Sequence, residues 1–192
     1  MRRSLLGAAL LTASLVSACA EPPNKEINQA QGAIDAALAA GAAKYAETEY
    51  SAATASLKQA NDAVTQRDYR LALNRALESR EHAQNAARAA ADNRARIRGE
   101  VERSMAENTA LLTQARTRLA EAEQARLPRQ TVRAVRQALT QIDAVVQKAG
   151  AAMKAEDYAS AEPLLQGVKG QIGRAMEPID AAEKSQTSKR RR

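Results

Sequence analysis

The chain has 192 residues, with no Phe, no Trp, four Tyr and a formal net charge of +7. So few large side chains cannot fill a thick globular core, which argues against a compact domain with a deep pocket; abundant Ala, the best helix former, favours long thin bundles and hairpins. Arg2 and Arg3, together with Lys184, Lys189, Arg190, Arg191 and Arg192, account for the whole net charge and leave residues 19–183 balanced, so the basicity sits at the chain ends.

Met1, Arg2 and Arg3 precede an apolar run from Leu5 to Val16 that only Thr12 and Ser14 interrupt. A charged start and an apolar stretch of that length read as a signal peptide. The run is too short for a membrane-spanning helix, which needs about 20 apolar residues. It leads into Val16-Ser17-Ala18-Cys19, and Cys19 is the single cysteine of the chain. This stretch resembles the lipobox of bacterial lipoproteins. The resemblance implies a signal peptide over 1–18, cleavage before Cys19, a diacylglyceryl group on its thiol and an acylated amino terminus. It also implies the bacterial cell envelope as location. Ala20 stands where an Asp would signal inner-membrane retention, which implies the outer membrane, facing the periplasm. The competing reading is an ordinary secretory signal cut near Ala18 or Ala20, with Cys19 incidental. An exported lone cysteine has no disulfide partner in its own chain, and an exposed thiol in an oxidising compartment is a liability that lipidation removes. A location outside the cytoplasm, with the basicity confined to a tail, sets nucleic-acid binding aside.

Residues 19–24, with Glu21-Pro22-Pro23, are expected to be a lipid-anchored tether. A helix carrying Ile27, Ala30, Ile34 and Leu38 is expected to stop near Gly41. The fold class expected from there on is all-α: elongated antiparallel helical hairpins with coiled-coil-like seams, sharing one long central helix. "QRDYRLAL" at 66–73 returns in outline as "AEDYASAE" at 155–162, an offset of 89 residues. The apolar seam follows the same offset. Ala46, Tyr50, Ala53, Leu57, Ala60 and Val64 correspond to Val135, Leu139, Ile142, Val146, Ala149 and Met153. Beyond the turn, Ala72, Ala76, Ser79, Ala83, Ala86 and Ala90 correspond to Ala161, Leu165, Val168, Ile172, Ala175 and Ile179. Alternating steps of three and four are the period of a two-helix seam.

The repeat predicts a first helical hairpin domain over 25–98 and a second over 128–183, joined by a connecting helix over 99–127. Asp68 and Asp157 stand where an N-cap should, and Tyr69 and Tyr158 should cover the bends by packing. The helix begun at Tyr69 is expected to run on to about Arg126, because Gly99 weakens a helix by about 1 kcal/mol without ending it. Pro128 suits the first turn of the next helix. Pro163 and Pro178 are expected to interrupt the last helix. Residues 184–192 contain no apolar side chain and are expected to be a disordered basic tail. Ser79→Ala is expected to leave stability unchanged, and large-to-Ala changes at Ile142 or Ile172 to lower it.

Tyr45-Ala46, Glu49, Leu57, Ala60, Asp68-Tyr69, Ala72 and Ala76 resemble the alanine-rich helical family of bacterial envelope lipoproteins known as domain of unknown function 4398. The resemblance covers about residues 25–100 and implies an envelope lipoprotein with a helical body and no known activity. The Asp-Tyr…Ala turn also resembles tetratricopeptide repeats, whose 34-residue period does not fit an offset of 89.

Catalytic patterns are missing from the sequence. It holds one His, His82, and no nucleophile elbow, P-loop or Cys/His pair, so no enzyme, cofactor or metal site is expected. Three functions remain. The first is a periplasmic scaffold or spacer, held to membrane lipid through acylated Cys19 and engaging an envelope protein partner. The second is contact with peptidoglycan or anionic lipid through Lys189, Arg190, Arg191 and Arg192. The third is a carrier with an interhelical groove for an apolar ligand, which the small-residue seam disfavours.

Overall fold

The structure, a computed structural model, describes residues 21–190. Among them there is no strand, and seven helices follow in order: α1 (Asn24–Ala39), α2 (Ala42–Tyr45), α3 (Glu47–Thr65), α4 (Tyr69–Gln124), α5 (Arg129–Lys154), α6 (Tyr158–Leu165) and α7 (Val168–Arg190). The fold is all-α, built on α4, which is unbroken through Gly99 for 56 residues, about 84 Å at 1.5 Å per residue.

The first half of α4 packs against α3 and α1, and the second half packs against α5 and the α6–α7 pair. Each half of the molecule is therefore a three-helix bundle. The segment expected as a connecting helix over 99–127 is in fact the first helix of the second bundle. Its buried residues Leu112, Ala115, Leu119 and Ala122 repeat the spacing of Ile27, Ala30, Ile34 and Ala37 in α1. That offset is 85 residues rather than 89 because the stretch from Ala122 to Val135 is four residues longer than the corresponding stretch from Ala37 to Ala46.

The two seams are in place. Of the residues read from the repeat, all are buried except Tyr50, Val64, Met153 and Ala175, which are half-buried. Beside them Ala63 and Met176 take buried positions. The cores differ in kind. The first is mostly Ala, with Ile34 and Leu57; the second is built from Leu, Val, Ile and Met. Small side chains let helix axes approach closely, while branched ones fill a wider gap. Ser79 does more than fill space: its fully buried Oγ donates to the Ala53 carbonyl at 2.8 Å, tying α4 to α3. The expectation that Ser79→Ala is neutral is therefore corrected.

Both hairpin turns share one backbone design. The Asp68 carboxylate accepts from Leu71 N–H at 3.0 Å, and that of Asp157 from Ser160 N–H at 3.1 Å. Each cap follows a residue in the left-handed region, Arg67 at φ 60° and Glu156 at φ 56°. The α4–α5 turn does the same with Arg126 at φ 56°. In each, the next N–H reaches back to the last helical turn: Asp68 to Ala63, Leu127 to Ala122, Asp157 to Ala152. These are Schellman closures, which satisfy carbonyls that the helix end leaves without donors.

Three expectations are revised. The last helix breaks at Gln166–Gly167, where Gln166 is extended and Gly167 has φ 81°, whereas Pro163 and Pro178 lie inside α6 and α7. A left-handed residue reverses the backbone course more sharply than one missing hydrogen bond does. The buried side-chain amide of Asn108 donates to the Leu165 carbonyl beside this break at 3.4 Å. Pro128 is the N-cap of α5, one residue ahead of the expected first turn. Residues 184–190 continue α7 and are helical, not disordered. Extending an existing helix adds one bond per residue fixed, and Lys, Gln and Arg are good helix formers.

Candidate functional site

Hydrogen bonds between helices set the direction of each one along α4. Arg80 donates to the Gln29 side chain at 2.9 Å, and Asn93 to the Tyr45 carbonyl at 2.8 Å, so α1 runs parallel to α4. Asn24 then lies level with the α4 residues near Arg75, at the end of the rod that holds the α3–α4 turn. Lys169 pairs with Glu107 at 2.6 Å and Arg118 with Asp180 at 2.5 Å. The shift of 62 residues is the same in both pairs, so α7 also runs parallel to α4 and its end passes beyond Gln124. The described chain thus begins at one pole and ends at the other, about 75 Å apart along some 50 helical residues.

The bundles meet at the waist of α4. Lys44 of α2 pairs with Asp157, and Arg94 pairs with Glu156 at 2.5 Å. The hydrogen bonds from Lys44 and Ser160 hold the Asp157 carboxyl below its ordinary pKa. Arg98 lies over the ring of the buried Tyr158, 5.9 Å from its centroid, and also pairs with Glu102. Tyr158 thus packs at the bend, as expected of it, while Tyr69 is half-buried at the outer turn.

At the far pole, the α4–α5 turn holds an open groove of about 800 Å³ lined by Glu123, Arg126, Leu127, Arg129, Val132, Arg133 and Arg136. Leu127 and Val132 are buried beneath it, and the four arginines are exposed. Arg136 pairs with Glu123. Among the described residues no carboxylate lies within 4.0 Å of the guanidinium nitrogens of Arg126, Arg129 or Arg133. Arg129, Arg133 and Arg136 share one face of α5 by their spacing of four and three. Lys184 on α7 lies toward the same pole, since α7 runs parallel to α4.

Of the residues singled out from sequence, Cys19, Arg191 and Arg192 lie outside the described residues, as do the side chains of Lys189 and Arg190. His82 is half-buried, off the seam. Among the described residues no three His, Cys, Asp or Glu side chains converge to hold a metal ion, and no helix is long and apolar enough to cross a membrane. The arginine groove was missed because charge was summed over residues 19–183, where acids elsewhere cancel it. The local signal was present: between Glu123 and Asp143 the chain carries four arginines and no acidic residue.

Comparison with protein-family models, with curated proteins and with solved structures finds no match to this chain.

Proposed function

We propose that this chain is a non-catalytic spacer of the bacterial cell envelope, anchored through acylated Cys19 in the outer membrane and projecting a helical rod into the periplasm toward an envelope protein partner. The observation that carries this reading is the polarity of the rod. Residues leading from Cys19 enter at one pole, and α7 leaves at the other, about 75 Å away at 1.5 Å per helical residue. An anchored molecule of that design holds its distal pole at a set distance from its membrane. One continuous helix through both bundles removes the flexible joint that would blur the distance. Two or more acyl chains hold firmly where one holds marginally, since each buried methylene contributes about 0.8 kcal/mol. The resemblance of residues 25–100 to an envelope lipoprotein family agrees with this.

The test is Cys19→Ser in the native host, followed by fractionation. The variant is expected to leave the membrane fraction and to be processed differently. A variant that partitions wholly with the membrane and is cleaved as the wild type refutes the anchor. Crosslinking in intact envelopes then identifies the partner.

A further inference from the structure

We propose that the arginine groove at the α4–α5 turn is a binding site for a carboxylate-bearing polymer of the cell wall, of the kind presented by the peptide stems of peptidoglycan. The identity of the polymer rests on the envelope reading above, while the groove and its charge stand without it.

The argument begins with where the charge lies. The body of the chain is neutral in sum, so a local excess is offset by acids placed elsewhere. Arg126, Arg129 and Arg133 have no carboxylate partner among the described residues and lie together in one groove, whereas other arginines without such a partner, Arg70, Arg88 and Arg103, are spread along α4. Like charges three and four residues apart on one helix face destabilise it, and an anion between them reverses the sign of that interaction.

The chemistry of the side chains narrows the ligand. A guanidinium presents a planar fork of donors that matches a carboxylate in two parallel hydrogen bonds. The buried Leu127 and Val132 place low-dielectric wall beneath the charges, which strengthens the field in the groove. A concave strip with cations on its rim suits a chain bearing charges at intervals better than the plane of a lipid surface. The position agrees: this pole lies about 75 Å, some 50 helical residues, from the end where the anchor enters, so the membrane holding Cys19 is out of its reach. Lys184 extends the same field from α7.

The experiment is co-sedimentation of the full chain, purified in nonionic detergent, with purified peptidoglycan sacculi across a salt series. The triple variant Arg126→Gln, Arg129→Gln, Arg133→Gln should bind at least tenfold more weakly and with a shallower salt dependence. The triple variant Arg70→Gln, Arg88→Gln, Arg103→Gln removes the same charge from exposed positions along α4 outside the groove and should bind as the wild type. Circular dichroism of both variants establishes that each is folded. The proposal is overturned if the wild type does not bind sacculi, if the first variant binds as well as the wild type, or if both lose binding equally. It is also overturned if phosphatidylglycerol vesicles bind more tightly than sacculi and respond to the same three substitutions. Failure of Cys19→Ser to leave the membrane would strike the anchor while leaving sacculus binding as a separate measurement.

Discussion

Replacing Ile172 by Ala removes three carbons from a side chain that is 5 % exposed and belongs to the aliphatic core of the second bundle. At about 0.8 kcal/mol per buried methylene the transfer cost alone is roughly 2.4 kcal/mol. The surrounding Leu, Val and Ile side chains close the cavity only in part, which brings the expected loss to about 3–4 kcal/mol. For a chain of this size each kcal/mol moves the melting temperature by about 2–4 °C, so a fall of roughly 6–16 °C is expected. The first bundle should respond to the opposite change. Ala86 is fully buried among other alanines, and Ala86→Leu forces helices apart at a cost of about 1–3 kcal/mol. Thermal unfolding followed by circular dichroism at 222 nm measures both. A shift below about 2 °C for Ile172→Ala would mean that the second core does not carry the stability assigned to it. A neutral Ala86→Leu would mean that the first bundle has room its packing denies.

Ser79→Ala removes the bond to the Ala53 carbonyl and should cost about 1 kcal/mol, read from a urea titration in which the midpoint falls and the slope is unchanged. Arg67→Gly should raise stability by about 1 kcal/mol, because φ 60° strains any residue with a Cβ; a fall in the melting temperature would contradict the left-handed turn. The Asp157 carboxyl, held below its ordinary value first by Lys44 and then by Ser160, supports the fold at pH above its unfolded pKa of 3.8. That support is lost as pH falls through the folded value, so the wild type should lose stability below about pH 4 more steeply than Asp157→Asn does. Parallel acid titrations of the two would refute the waist contact.

Much of this fold could be read in advance because its information is local and periodic. The seam positions from Ala46 to Ala90 and from Val135 to Ile179 follow from steps of three and four. Asp68 and Asp157 are caps by residue type and place. The continuity of α4 follows from the lack of any proline between Tyr69 and Gln124. Pairing among helices was less visible. The match of Leu112, Ala115, Leu119 and Ala122 to the face of α1 is hidden because four more residues separate Ala122 from Val135 than Ala37 from Ala46, which changes the offset. The break at Gly167 was assigned to proline because a missing donor is easier to see than a backbone that needs φ 81°. The arginine groove depends on three residues of one helix face meeting a fourth across a turn, and a charge sum erases that geometry.

The path of the chain also decides how the molecule would carry tension. It enters at one pole, turns back at the waist, returns, crosses the full length once in α4, and leaves at the opposite pole along α7. A pull on the two ends therefore loads α1 and α7 along their axes, against the side of α4. Neither can be peeled away one turn at a time from its loaded end. Each must slide as a whole, dragging Ile27 to Ala37 in one bundle, and Val168 to Ile179 in the other, out of register together. Resistance of that kind is set by the rate of unfolding. A steady load applied at the two ends would leave such a rod near full length until each bundle gave way in one large step.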